Sequence, residues 1–268
     1  MKKRRIVVVF LLLALVSVIF TGCGNPYAGN YQEVTEEEKI NLVNKIAQLE
    51  EAKETYNMEL SGSSNITTTF SFYGETQKVN VKCDFTELYD YTNENGVISY
   101  VKYNISMSGG GVNAKLNMEG YVDVAARKAY VTYDVSANGI KKNISGTIND
   151  IDLGDFGEAL SAGDTQFTFR AVYDAIQLVE VTVSVSDNKV KVTDIKESKA
   201  DVTYYLVFES DNQYRAKKEY VLDYTESYYT YKGTASTDIY PVKKSCSLPT
   251  DLSKYSQTIN IYDLSNWL

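Results

Sequence analysis

The stretch YNMELSGSSNITTTFSF, residues 56–72, decides the fold. Its even positions read Tyr56, Met58, Leu60, Gly62, Ser64, Ile66, Thr68, Phe70 and Phe72, and nearly all odd positions between them are polar. A period of two belongs to a β-strand with one apolar and one wet face. Gly62 marks an expected kink. After a turn at Gly74-Glu75 the alternation resumes, with Val79, Val81, Cys83, Phe85, Tyr89 and Tyr91 on one face and Lys78, Asn80, Lys82, Asp84 and Asp90 on the other. Asn95-Gly96 is a hairpin signal.

The same period continues through Val97 to Met107, Val112 to Val122, Ala129 to Ala137 and Ile140 to Ile148. Residues 149–164, rich in Asp and Gly, interrupt it and form the candidate boundary between two subdomains. Beyond them, strands are expected at Phe167 to Val172, Leu178 to Val185, Lys189 to Ile195, Val202 to Glu209, Tyr214 to Tyr224 and Tyr228 to Thr237. Ala171 to Ile176 also suits a helical turn. Thr258 to Tyr262 reads as a last edge strand. Ahead of all of these, Thr35 and Glu38 have capping-box spacing, and Leu42, Val43, Ile46 and Leu49 form one helical stripe, predicting an amphipathic helix from about Glu36 to Glu54.

About a dozen sequential strands with short turns predict a mainly β (α+β) chain, an N-terminal helix beside a meandering antiparallel sheet. Such a sheet is over ~50 Å wide at ~4.8 Å per strand, whereas a helix is only ~10 Å thick. One helix cannot cover it. The sheet must curl into a half-barrel, fold over as a sandwich, or leave an apolar hollow.

Outward from this core, the chain opens with Lys2, Lys3, Arg4 and Arg5, runs uncharged from Ile6 to Phe20, and turns small and polar at Thr21, Gly22, Cys23 and Gly24. This is the layout of a secretory signal, and the apolar run is short for a permanent membrane span. Phe20-Thr21-Gly22-Cys23 resembles the lipobox of bacterial lipoproteins. The resemblance implies cleavage after residue 22, diacylglyceryl lipidation of Cys23, a tether over residues 23–33, and a domain over 34–268 held at the outer face of the cell membrane. Two acyl chains suffice for stable anchoring.

The four basic groups of residues 1–22 leave 23 basic against 35 acidic residues in the remainder, a formal charge of −12. That balance repels phosphate backbones, so nucleic acid is not an expected partner. The chain has no histidine, which excludes Ser-His-Asp and Cys-His catalysis and His-ligated zinc. No catalytic residue, metal ligand or cofactor is assigned. The acidic run from Asn149 to Glu158 departs from the EF-hand pattern, because Gly154 stands where an oxygen ligand belongs. Asp155-Phe156-Gly157 lacks the other kinase motifs, and Gly109 to Gly111 precede a strand instead of a helix.

Cys83 and Cys246 remain as an even pair in an exported domain, readable either as a disulfide or as two buried thiols. The 23 tyrosines concentrate at Tyr220, Tyr224, Tyr228, Tyr229 and Tyr231. Tyrosine suits half-buried strands; equally, Tyr224, Tyr228, Tyr229 and Tyr231 form a candidate aromatic platform.

The order of elements across residues 34–262, an exported amphipathic helix followed by a long antiparallel run, resembles the lipoprotein- and lipid-carrier superfamily of the Lol and LppX type. The resemblance implies a half-barrel that encloses acyl chains against a helical lid. The expectation is therefore a non-enzymatic, membrane-anchored protein binding a lipid or other amphipathic ligand. The alternative is a cell-surface module that contacts protein or glycan through its tyrosine-rich strands.

Overall fold

The computed structural model describes residues 25–51, 57–72, 75–91, 98–149, 167–178, 180–197, 199–209 and 214–259. The signal segment, Cys23, the run 150–164 with Asp155-Phe156-Gly157, and residues 260–262 of the expected last strand lie outside the described residues.

Alternation becomes twelve strands: β1 (Gln32–Glu33), β2 (Asn57–Phe72), β3 (Glu75–Asp90), β4 (Ile98–Gly109), β5 (Val112–Asp123), β6 (Lys128–Ala137), β7 (Ile140–Ile148), β8 (Thr182–Ser186), β9 (Lys189–Glu197), β10 (Ala200–Phe208), β11 (Tyr214–Glu226) and β12 (Tyr229–Val242). All belong to one antiparallel sheet, ordered β1-β8-β9-β10-β11-β12-β2-β3-β4-β5-β6-β7, which does not close. No second sheet faces it among the described residues, so the sandwich arrangement is not adopted. The two runs of strands on either side of residues 149–164 are joined where β12 pairs with β2, from Tyr229↔Phe70 to Val242↔Asn57.

Two helices pack on the sheet: α1 (Glu36–Glu51) and α2 (Phe167–Ile176). At the start of α1 the Thr35 N–H donates to Glu38 Oε2 at 2.8 Å and the Glu38 N–H donates to Thr35 Oγ1 at 3.3 Å, the reciprocal box its spacing predicts. α2 corrects the sequence reading, which put a strand at Phe167 to Val172. Alternation over six residues mimics a strand, but Val172, Ala175 and Ile176 follow helical spacing, and all three are buried. Burial of that stripe decides the outcome, since helices draw most of their stability from an apolar face.

The ladder register sorts the side chains into two faces. Met58, Tyr89, Ser99, Val122, Ala129 and Ile148 lie side by side on one, together with Ile239 of β12 and Ala216 of β11. This apolar face carries the core. α1 and α2 cover β8–β11 there, burying Leu42, Ile46, Val172 and Ile176 against Val190, Val192, Val202 and Leu206. A second cluster fills β6–β7 with Val131, Tyr133, Val135 and Ile148. Gly62, Gly120 and Gly233 also lie on this face. A Cβ there would come within 2.2–2.6 Å of a carbonyl oxygen on the neighbouring strand, so the sheet bends toward its apolar side where side chains are absent.

The first and last described segments, from residue 25 and up to residue 259, wrap around the sheet. Tyr27 and Tyr31 pack on the polar face against Tyr205, then β1 pairs with β8 and leads over that edge into α1. At the other end, the segment after β12 crosses the polar face as a strap. Asn57 Nδ2 donates to the Lys244 carbonyl at 2.6 Å, the Cys246 N–H to Asp90, and Thr147 Oγ1 to the Tyr255 carbonyl at 2.7 Å. The strap ends by pairing with the edge of β7, where the Thr147 N–H donates to Gln257 O and the Ile259 N–H to Thr147 O, both at 2.8 Å. Ile259 thereby enters the β6–β7 cluster on the apolar face. β1 thus covers part of the β8 edge and the strap part of the β7 edge, which limits pairing of the sheet with other chains.

Candidate ligand-binding face

Among the described residues, helix cover ends at β11. On β12, β2, β3, β4 and β5, the apolar face is fully buried only within two adjacent rows, at Met58, Tyr89 and Ser99 in one and Ile239 and Gly120 in the other. Beyond those rows stand Ile66, Phe70, Val79, Val81, Phe85, Ile105 and Leu116, all half-buried, with Met107 and Val112 exposed. Five strands at ~4.8 Å spacing make this strip roughly 20–24 Å wide. Among its described side chains inward of Glu75, the one charge is Glu87. Tyr89 and Tyr103 both donate to its carboxylate. Burial, followed by the Glu87 charge for Tyr89 and the Glu87 hydrogen bond for Tyr103, raises both phenols above their ordinary range. The phenols therefore stay neutral donors and the carboxylate is capped by hydrogen bonds, which keeps an otherwise apolar strip free of an unmet charge.

At the β11–β12 turn the strip becomes aromatic. Tyr224 and Tyr231 are opposite each other in the ladder and their rings stack at 4.9 Å. Tyr229 stacks on Tyr231 at 6.3 Å and meets Phe70 at 6.1 Å. The structure therefore brings together three of the four tyrosines that the sequence singles out and adds Phe70. Tyr228 sits in the turn itself, 69% exposed. Strand pairing unites residues distant in sequence, so Phe70, Glu87 and Tyr103 carried no local signal beyond alternation; the Phe70 partnership rests on β12 pairing with β2.

On β9 to β11, beside the part of the face that α1 and α2 cover, a half-buried ion pair sits with a tyrosine. Lys218 Nζ donates to Glu197 Oε2 at 2.8 Å, and the Tyr204 hydroxyl donates to Glu197 Oε1 at 2.8 Å. Burial pushes the Glu197 carboxyl up, but these hydrogen bonds outweigh it and the net shift is downward.

The possible Cys83–Cys246 bridge is corrected. Neither thiol is part of a disulfide. Cys83 lies on the apolar face opposite Ser64 and Ile105, while Cys246 lies in the strap on the polar face, its Sγ donating to the Ile98 carbonyl at 3.4 Å. Ile98 pairs with Asp90, seven residues along β3 from Cys83, about 23 Å at strand rise. A disulfide spans Cα atoms only about 4.4–6.8 Å apart.

Among the described residues, no group of three or more His, Cys, Asp or Glu side chains is placed to hold a metal ion, and no helix is long and apolar enough to cross a membrane. No family model matches the chain, and no curated protein matches it. Two solved structures show a distant likeness. The translocator domain of the autotransporter NalP from Neisseria meningitidis is 9% identical, covering 77% of this chain and 95% of that one, with a TM-score of 0.26. A DUF1329 family protein from Desulfovibrio piger is 14% identical, covering 78% of this chain and 94% of that one, with a TM-score of 0.20. Overlap this low has no bearing on what the chain binds.

Proposed function

We infer that this chain is a membrane-anchored, extracytoplasmic lipoprotein, non-enzymatic, that holds the acyl portion of a lipid or a similar amphipathic ligand against the uncovered part of its apolar face. The carrying observation is the strip from Ile66 and Phe70 across Val81 and Phe85 to Ile105 and Leu116, apolar yet half-buried, on a sheet bent toward that side. Soluble domains rarely leave large contiguous apolar surface open, and where they do it marks a binding surface. Residues Phe20 to Cys23 supply the case for the anchor: the lipobox resemblance places a diacylated Cys23 a few residues ahead of Tyr27.

The test uses the chain expressed from Gly24, so that its own anchor does not supply the lipid. Organic extraction of protein purified without detergent should release stoichiometric lipid, and an apolar fluorescent dye should bind in competition with it. Ile105→Glu should abolish both. Lipid-free protein with no dye site overturns the reading. Intact mass of the membrane-extracted protein should show a chain starting at Cys23 with a diacylglyceryl adduct, and an unmodified Cys23 overturns the anchor alone.

The second reading, a surface module contacting protein or glycan through tyrosines, is favoured by Tyr228 and Tyr229, which remain exposed at a hairpin tip. Loss of cell adhesion in Tyr228→Ala with Tyr229→Ala, without loss of lipid, would select it.

A further inference from the structure

The polar face holds a groove chemically unlike the apolar strip. Between the strap and β4–β6 lies a groove of about 300 Å³, bordered on the strap side by Pro249, Lys254 and Tyr255. This is at the small end of the range for small-molecule sites, about 300–1,000 Å³. Three rows of the ladder run through the groove and past its ends, lining it at Tyr121 in the first, along the whole of the second, and at Asn104, Asn117 and Asp134 in the third. One is aromatic, Tyr100 beside Tyr121 beside Tyr130, with Tyr100 and Tyr121 rings 5.3 Å apart and Tyr255 edge-on to Tyr130 at 5.7 Å. The next runs Lys102, Glu119, Thr132. The third is a ladder of amides and carboxylates, Asp84, Asn104, Asn117, Asp134 and Asn143, all exposed.

We propose that this groove binds a neutral saccharide. The lining carries Lys102 and Lys254 against Glu119 and Asp134, so it presents no net charge to favour an anion or a cation. Each asparagine amide offers donors and acceptors together, which matches hydroxyls that also do both. A tyrosine ring beside such a row supplies apolar area with a polar tip, suited to the flat face of a sugar. An extended peptide binds by adding a strand to a free edge, but β1 covers part of the β8 edge and Gln257–Ile259 cover part of the β7 edge, leaving the groove without a strand to extend. The site faces away from the lipid strip, so the two proposals stand or fall separately.

The experiment uses the full-length chain in a sugar-free detergent, screened against an array of neutral glucan, mannan and N-acetylhexosamine oligomers with uronic-acid oligomers beside them. Binding to a neutral member is expected. Titration calorimetry should then show Asn117→Ala and Asp134→Ala each weakening it about tenfold, the loss of one good hydrogen bond. Glu37→Ala, at an exposed position of α1 across the sheet, should leave it unchanged. Asn104→Ala, at another exposed position in the same row, provides a second variant should one of the others unfold by circular dichroism. No binding of any neutral oligomer, preference for the acidic ones, or binding indifferent to both Asn117→Ala and Asn104→Ala overturns the proposal.

Discussion

The buried carboxylate of Asp90, 1% exposed, accepts the backbone N–H of Cys246 at 2.8 Å and so fastens the strap to β3. A charged acceptor in such a bond contributes about 1.5–3 kcal/mol. Asp90→Ala should lower the free energy of urea unfolding by about that amount, and hydrogen exchange should accelerate first in residues 243–259. Exchange that instead rises evenly across the sheet would show that the strap is not held at this point.

Gly233→Ala should be destabilising although alanine is the smallest available change. Its Cβ would lie 2.2 Å from the Asn65 carbonyl oxygen and 2.8 Å from Ile66 Cα, both backbone atoms. Relief requires the β12–β2 pair to open, and a cost of about 2–3 kcal/mol follows by analogy with overpacked cores. Equilibrium denaturation measures it; an unchanged midpoint would mean the bend toward the apolar face is not set here.

Glu59 makes stability sensitive to acid. Burial raises its carboxyl, but hydrogen bonds from Lys244 and Tyr240 outweigh this and the net position is below its ordinary 4.5. A depressed folded value gives stability that is present above 4.5 and lost as pH falls through the folded value. Glu59→Gln should therefore unfold at a lower temperature than the parent at neutral pH, with the gap closing in acid. A gap that is constant with pH would assign the effect to packing.

At alkaline pH the tyrosines act in the opposite sense. Burial first, then neighbouring carboxylates, lift Tyr100, Tyr205 and Tyr240 from 10.0 to about 12 and Tyr27 further. Folded values above the unfolded one leave stability intact below pH 10 and erode it above. Phenolate absorbance should include a late phase, above pH 10.0 and coincident with unfolding, from these buried rings. A single phase near 10 would contradict the burial described.

Non-reducing peptide mapping should return Cys83 and Cys246 on separate peptides. Alkylation of Cys246 should be slow in the folded protein, because burial and then the Asp90 charge push its thiol up to about 11. Rapid modification of both thiols before unfolding would argue against the strap's placement.

Alternation made most of this fold legible: the strand runs along β2 to β7 and β9 to β12 and the cap of α1 follow from local residue order. Longer-range features do not. Nothing in Thr68 announces that it pairs with Tyr231, because strand neighbours across a fold are chosen by the whole sheet. α2 is ambiguous in the sequence, since Phe167 to Val172 fits a strand and Ala171 to Ile176 a helical turn, and only burial of Val172 and Ile176 separates them. The strap, with Pro249 and little alternation, read as an irregular tail; its hydrogen bonds go to side chains and edges that no periodicity encodes. Of the candidate face, the tyrosines were visible as composition, whereas their stacking with Phe70 required the register.

The pairing of β12 with β2 also dictates an order of events during synthesis. β2 emerges early and finds β3 within a hairpin, but its other edge waits until nearly the entire chain has been made. Closing so long a loop slows folding and leaves a bare, greasy ribbon waiting meanwhile.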